Sequence, residues 1–415
     1  MTRPTARGTA LLAVAAATYA AARIVGTWEL YLLAFALLAA VIVTWVQVLA
    51  IGRRLDVTTS VTPRQPVAGD PLLLSFRVKS GSLLPGQQVT LLHATGELGG
   101  CDRPIHVESL GPRAQRVVTS GPWPARRGIH HLPALVAVAA DPLGLVHVRR
   151  RLGTMDITVS PRLVHLGSCA LFPDMGVGEG GRRRLPTLHG SEFRGIRPHS
   201  PGEPLNRVDW KATAKTGNLM LRETEDAANG DVTLLLNGAA PHVGGQPPET
   251  SFELAVQAAG SIADYALRAG HATTLLVPEN EWRPIRLAPD ANGHLRLLEI
   301  LAGVTPRGLA DLGPSLRALV ADPRLFERTR MLTVVVLSLD RGLMRALIAL
   351  QKQGLRVSVV HVPASSFVPA VSTAESSSLR LALSAAGVGY FAVSRGDDLR
   401  AALSIRSEDR RARGR

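Results

Sequence analysis

The stretch Leu30–Ile51, LYLLAFALLAAVIVTWVQVLAI, carries no charged residue. A helix of about 20 such residues crosses the hydrocarbon core of a bilayer, because in lipid only a helix satisfies every backbone polar group within a single segment. Upstream, Thr9–Gly26 is Ala-rich and apolar, with Arg23 near its end where a long side chain reaches the interface. Residues 1–54 therefore read as a transmembrane helical hairpin with spans at about 9–26 and 30–51. The first segment also fits a cleaved signal peptide, since Arg3 and Arg7 precede it and small residues stand at Ala20–Ala22. Arg3 and Arg7 before the first span, and Arg53 and Arg54 after the second, mark both flanks as cytoplasmic. The expected protein is two-pass in the cell membrane, with both termini and the large domains in the cytoplasm.

The whole chain carries a formal charge of +14, which raises the question of nucleic acid. Lysine occurs only at Lys79, Lys211, Lys215 and Lys352, so 43 of the 47 basic residues are arginines, dispersed in small groups. Aromatic residues for base stacking are sparse at 4%. Nucleic acid is not the expected partner; anionic membrane lipids suit Arg126, Arg127, Arg149–Arg151 and the basic tail, residues 405–415, better. Cys101 and Cys169 are far apart without metal-ligand spacing, so each reads as a small buried hydrophobe.

Residues 55–166 break into short β-branched runs, Leu72–Val78, Val89–His93, Arg116–Thr119, Leu135–Ala139 and Ile157–Ser160, split by Gly and Pro. That spacing predicts a β-sandwich. His130 and His131 are adjacent, read as lying beside a strand and flanking a turn, and are not expected to hold a metal. Residues 167–189, with Gly176, Gly178, Gly180, Gly181 and Arg182–Arg184, read as a linker; their glycines follow no strand and open no helix, as a dinucleotide fingerprint would.

Residues 190–404 hold a charged motif followed by an α/β domain. In the motif, Ser200–Glu203 suits a type II turn, and Pro204 suits a helix start with Leu205, Val208 and Ala212 on one face and Gly217 as its stop. Arg194, Arg197, Arg207, Asp209, Lys211, Arg222 and Glu223 crowd around Trp210. They read as an ion-pair network or as a docking surface with Trp and Arg anchors. Beyond it, apolar strands at Val232–Leu236, Thr273–Val277, Leu332–Leu337, Val357–Val360 and Tyr390–Val393 alternate with helices. Thr250 and Glu253 form a capping box, and the alternation predicts a mainly parallel, doubly wound sheet. In such sheets ligands sit beyond the carboxyl ends of strands, yet Asn237–Pro241 offers neither carboxylate nor phosphate cradle.

Three places together resemble the bacterial family called domain of unknown function fifty-eight: the helical anchor; Arg127-Gly128-Ile129-His130 with Asp141–Leu145 and Ser160-Pro161-Arg162; and the run Arg197–Arg222. Within that run Arg197, Pro201, Gly202, Arg207, Asp209, Trp210 and Lys211 match the family pattern, while His199, Glu203 and Lys215 stand where Tyr, Asp and Arg are usual. The resemblance covers almost the whole chain. It implies a core similar to a von Willebrand factor A domain and a partnership with a MoxR-type AAA+ ATPase. Where metal-binding A domains carry Asp-x-Ser-x-Ser, this chain has Asn237, Ala239 and Pro241, with Asp340 near a second ligand position, so no metal and no cofactor is expected.

The function expected is that of a non-enzymatic, membrane-anchored adaptor or scaffold in a chaperone-like or cell-envelope system. Its docking or structural motif is Arg197, Pro201, Gly202, Glu203, Arg207, Asp209, Trp210, Lys211 and Arg222. The alternatives are a hydrolase using Asp209 or Glu223, for which no nucleophile is apparent, and a basic membrane-surface or nucleic-acid binder.

Overall fold

The computed structural model describes residues 2–81, 87–92, 104–111, 113–141, 143–172, 192–198, 208–225, 231–278, 282–307, 311–320, 329–368 and 374–404. The chain divides into two compact units, Met1–Ser160 and Pro161–Arg415.

The first unit opens with a short strand β1 (Thr2–Pro4), then helices α1 (Ala6–Val25) and α2 (Trp28–Arg54). Both helices are long and apolar enough to cross a membrane. Thr5 caps α1 by accepting the Gly8 amide, and Gly26, in the left-handed conformation at φ 76°, closes it by donating to the Ala22 carbonyl. The turn is shorter than expected: α2 already begins at Trp28. Ala15 and Ala22 on α1, and Ala34, Val41 and Val48 on α2, are buried at seven-residue spacing, which keeps one stripe of each helix against a neighbour. Leu32, Phe35, Ile42 and Val46 face outward.

Strand β2 (Leu55–Thr62) follows α2 directly and leads to β3 (Pro71–Ser80), β4 (Gln87–Leu92), β5 (Ile105–Leu110), β6 (Gln115–Pro124), β7 (Gly128–Leu132), β8 (Val136–Ala140), β9 (Val146–Arg151) and β10 (Met155–Val159). They form a five-stranded sheet β1-β9-β8-β4-β5, a three-stranded sheet β2-β3-β6 and the pair β10-β7. Alternation along β3 buries Leu72, Leu74, Phe76 and Val78, which share one core with Val89, Leu91, Ala137, Ala139, Val146 and Val148 of the larger sheet. His130 and His131 lie within β7, where pairing with β10 extends the strand past the anticipated turn; His131 Nδ1 bonds the Asp156 carboxylate at 2.8 Å on the surface. The Asp141–Leu145 turn is held by the fully buried Asp141 carboxylate, which accepts the amides of Leu143 (3.0 Å) and Val146 (2.7 Å).

In the second unit, residues 161–172 contribute to its core: Leu166, Cys169, Leu171 and Phe172 are buried, and Phe172 stacks on Tyr265. Burial pushes the Cys169 thiol up to about 12, opposed by the Leu171 and Phe172 backbones, so it is an inert core group. Cys101, most of the 167–189 segment and the 405–415 tail lie outside the described residues. Strands β11 (Glu192–Pro198) and β12 (Met220–Glu225) pair antiparallel, with helix α3 (Trp210–Thr216) between them in sequence.

The central sheet has β13 (Asp231–Asn237), β16 (Thr273–Pro278), β17 (Trp282–Leu287), β18 (Thr329–Val336), β19 (Arg356–His361) and β20 (Gly389–Ala392), in the order β17-β16-β13-β18-β19-β20. The small hairpin β14 (Gly245–Gln246) and β15 (Glu249–Thr250) sits after β13. All sheet pairings are parallel except β16 with β17. Pro284 confines β17 to an edge, and its mixed sequence hid it from the pattern of apolar runs. Helices α4 (Ser251–Arg268), α5 (Ala291–Gly303), α6 (Leu312–Val320), α7 (Arg341–Lys352), α8 (Ala374–Ala385) and α9 (Leu399–Ser404) complete the unit. Alternate residues of β13 enter opposite cores: Val232, Leu234 and Leu236 pack with α4, α5 and α9, whereas Leu235 packs with α6, α7 and α8. Each sheet face is thus covered by helices, which is why these strands are apolar without interruption.

Replacing Asp141 by Ala leaves the buried Val146 amide and the half-buried Leu143 amide without this acceptor. The Asp141→Ala chain is expected to lose about 2–4 kcal/mol of stability in its first unit. Thermal unfolding of the detergent-solubilised protein reads this as a lowered midpoint, and an unchanged midpoint would refute the role given to this carboxylate.

Candidate docking site around Trp210 and the carboxyl edge of the sheet

The sequence around Asp209 builds a small, firmly mounted helix. Val208 is buried, and Asp209 takes an extended conformation from which its Oδ1 accepts the Ala212 amide at 3.0 Å. This side-chain cap sets the start of α3 at Trp210, so Val208, expected on the helix face, precedes it, while Pro204 lies outside the described residues. Gly217 ends the helix at φ 71°, donating to the Thr213 carbonyl. Two bonds fasten α3 to β12: the Asp209 amide donates to the Met220 carbonyl (2.8 Å), and the Met220 amide donates to Thr213 Oγ1 (3.0 Å).

Trp210 stands at the first position of this helix and is 70% exposed, with Lys211 and Lys215 exposed beside it. A large aromatic held out to solvent by a capped helix leaves a substantial apolar area to be buried by something else. Asp209 has one carboxylate oxygen committed to the cap. Arg197 stands opposite Leu221 and Arg222 opposite Ile196 in the β11–β12 ladder, with Glu223 opposite Gly195 beside a register shift. His199, Pro201, Gly202, Glu203 and Arg207 lie outside the described residues.

A second candidate position lies at the carboxyl end of β13 and β18, where the strand order reverses direction. Asn237 ends β13 and is buried, and Ala239 is buried after it, whereas Pro241 lies exposed in a 3-10 turn. Gly238 is roofed by Phe252: a Cβ there would come within 2.1 Å of the ring. Asp340 caps α7, its Oδ1 accepting the Leu343 amide at 2.7 Å. His242 Nδ1 and Ser338 Oγ are 2.9 Å apart. That pairing escaped sequence reasoning because the two residues are distant in the chain and neither breaks a local pattern. Among the described residues no three His, Cys, Asp or Glu side chains gather around a cation-sized site.

A further polar pair lies at the end of β19. Burial pushes the His361 imidazole down to about 4, and the Leu337 backbone, which favours the charged ring, opposes this. With one nitrogen donating to that backbone, the other accepts from the Tyr390 hydroxyl at 2.9 Å. Burial in turn pushes the Tyr390 hydroxyl up to about 12, with Arg380 opposing. His361 is therefore neutral in the fold and a structural group.

Two outcomes follow from these geometries. As pH falls from 6.5 toward 4, the unfolded chain takes up a proton at position 361 before the folded one does, so stability present above pH 6.5 is lost, on the order of 3 kcal/mol in total. Acid unfolding should be shallower in His361→Gln over that window, and an identical slope would contradict the assignment. At the cap, Asp209→Asn should keep near-native stability while Asp209→Ala costs about 1 kcal/mol, read by thermal melting.

No curated protein matches the chain. Solved structures with some likeness include the CARDB domain of a Pyrococcus furiosus protein, at 18% identity and a TM-score of 0.17, spanning 26% of this chain and 89% of that one. Another is beta-glucuronidase 2 of Bacteroides uniformis, at 10% identity and a TM-score of 0.18, spanning 81% of this chain and 36% of that one. Likenesses this slight bear on neither fold nor function. Residues 195–376, from the strand before the Trp210 helix to the start of α8, match the model of a family described as "Protein of unknown function DUF58".

Proposed function

We propose that this protein is a membrane-anchored docking platform, and that Trp210 on its capped helix is the anchor residue for a partner protein. The single observation that carries the reading is the 70% exposure of Trp210 on a helix capped at both ends and bonded to β12. Tryptophan dominates interface energetics because it buries much apolar area at little entropic cost, and a preformed mount lowers that cost further. The resemblance of the motif to its family implies that the partner is a MoxR-type AAA+ ATPase, and that the central sheet, parallel with helices on both faces, serves as an A-domain-like scaffold.

The helical pair supports the anchoring half of the reading. Both of its ends return to the same folded unit, β1 before α1 and β2 after α2, and both are flanked by arginine. Insertion with these flanks in the cytoplasm places the soluble units on that side. Tethering then confines a soluble ATPase to the membrane surface and raises its effective concentration there.

Cross-linking the tagged full-length protein in mild detergent, followed by mass spectrometry, tests the proposal. An AAA+ ATPase is expected with the native chain, and Trp210→Ala should lower its recovery about 30-fold, the effect of a 2 kcal/mol anchor, with no change in melting temperature. Equal recovery from the Trp210→Ala chain would remove Trp210 from the interface.

A further inference from the structure

Four separate stretches of chain bring arginines to the same end of the helical pair. Arg3 lies on β1, opposite His147 of β9, and α1 begins three residues later. The Arg7 guanidinium reaches over Gly144. The apolar run of α2 gives way to Arg53 and Arg54, and the helix passes into β2 without a linker. Strand β9 packs against α2 and carries Arg149, Arg150 and Arg151. The Arg150 guanidinium donates to the carbonyl of Leu55, the first residue beyond α2, and so pins β9 at the level of the helix end. Arg3, Arg7, Arg54, Arg149 and Arg151 are exposed.

Among the described residues counter-charge is scarce at this level. Residues 1–28, 30–55 and 143–155 contain no Asp or Glu, and the Asp141 carboxylate is buried on its own turn. The exposed acid nearest in sequence is Asp56, opposite Lys79. The closeness of the cations is visible at His147, whose imidazole is held below its ordinary value by burial and then by Arg149 and Arg3.

We infer that this arginine collar binds the headgroups of anionic phospholipids and fastens the first unit flat against the bilayer. Guanidinium forks match phosphate oxygens in pairs, and a cluster of four to eight cations directly beside a spanning helix is the arrangement that favours an anionic leaflet. Its position, where the charge-free run ends, sets the collar at headgroup depth. Arg150 acts as a positioning residue, committed to Leu55, while Arg3, Arg7, Arg54, Arg149 and Arg151 meet the lipid. The inference rests on the anchored reading of the two helices.

The test titrates the full-length chain in mild detergent with phosphatidylglycerol or phosphatidylcholine and counts bound lipid by native mass spectrometry. Phosphatidylglycerol occupancy is expected at least fivefold above phosphatidylcholine. Arg149→Ser/Arg151→Ser, and independently Arg3→Ser/Arg7→Ser, should erase most of that preference, whereas Arg296→Ser/Arg345→Ser, the same charge change on exposed helices of the other unit, should retain it. Equal occupancy by the two lipids, full retention in both collar variants, or displacement of the lipid by an equal concentration of glycerol phosphate would overturn the inference. A chain that stays soluble without detergent would instead refute the anchor, so the two failures are distinguishable.

Discussion

The hydrogen bond from the Gly81 amide to the Arg54 carbonyl, at 2.9 Å, marks where a helix becomes a sheet. The last carbonyls of a helix need partners, and ordinarily a loop or water supplies them. In this protein Gly81, the residue after β3, supplies one, and α2 runs into β2 with no intervening loop; Leu55, already 2% exposed, faces Ser80 in the first ladder position. Everything in the first unit inherits its position from that junction. The β2-β3-β6 sheet is indexed to the helix end, the shared core sets the distance to the larger sheet, and the Arg150 bond to Leu55 closes the arrangement from the opposite sheet.

The second unit depends on a different economy, the burial of a parallel sheet on both faces. Strand β13 is buried from end to end, including Asp231, Thr233 and Asn237. Its polar residues are accommodated individually. Asp231 pairs with Arg286 at 3.0 Å, and Thr233 shares a hydroxyl bond with Thr329 across the sheet at 2.9 Å. Small residues on α4, among them Ala255, Ala258, Ala259 and Gly260, let that helix approach closely; a Cβ at Gly260 would meet Leu163 at 2.5 Å and Leu301 at 2.7 Å.

Much of this was legible in the residues. The charge-free run at Leu30–Ile51 falls inside α2, Thr250 caps α4 with Glu253 in its first turn, and the expected apolar strands of the central sheet match the observed ones with overruns of a single residue at Leu337 and Val393, because each signal is local. Hidden features share the opposite property. Strand β1 is three residues with no periodicity, and only the distant β9 makes it a strand. The start of α3 is set by the Asp209 carboxylate cap, which sequence spacing does not single out. The His242–Ser338 and His361–Tyr390 bonds join loops and strand ends brought together by topology alone. At the candidate site, the type of Trp210 was readable but its exposure was not, since a tryptophan among charges serves equally as a core plug or as an anchor.

The pairing of Thr2–Pro4 with Val146–Val148 also orders the assembly of the protein in time. The helical hairpin leaves the ribosome long before β9 exists, and its local contacts form early. The edge of the five-stranded sheet stays open through that interval and is sealed only when Val146–Arg151 has been made and meets the leading residues of the chain. Closure of the first unit thereby joins a strand that precedes both helices to one made well after them, with both helices already formed when it happens.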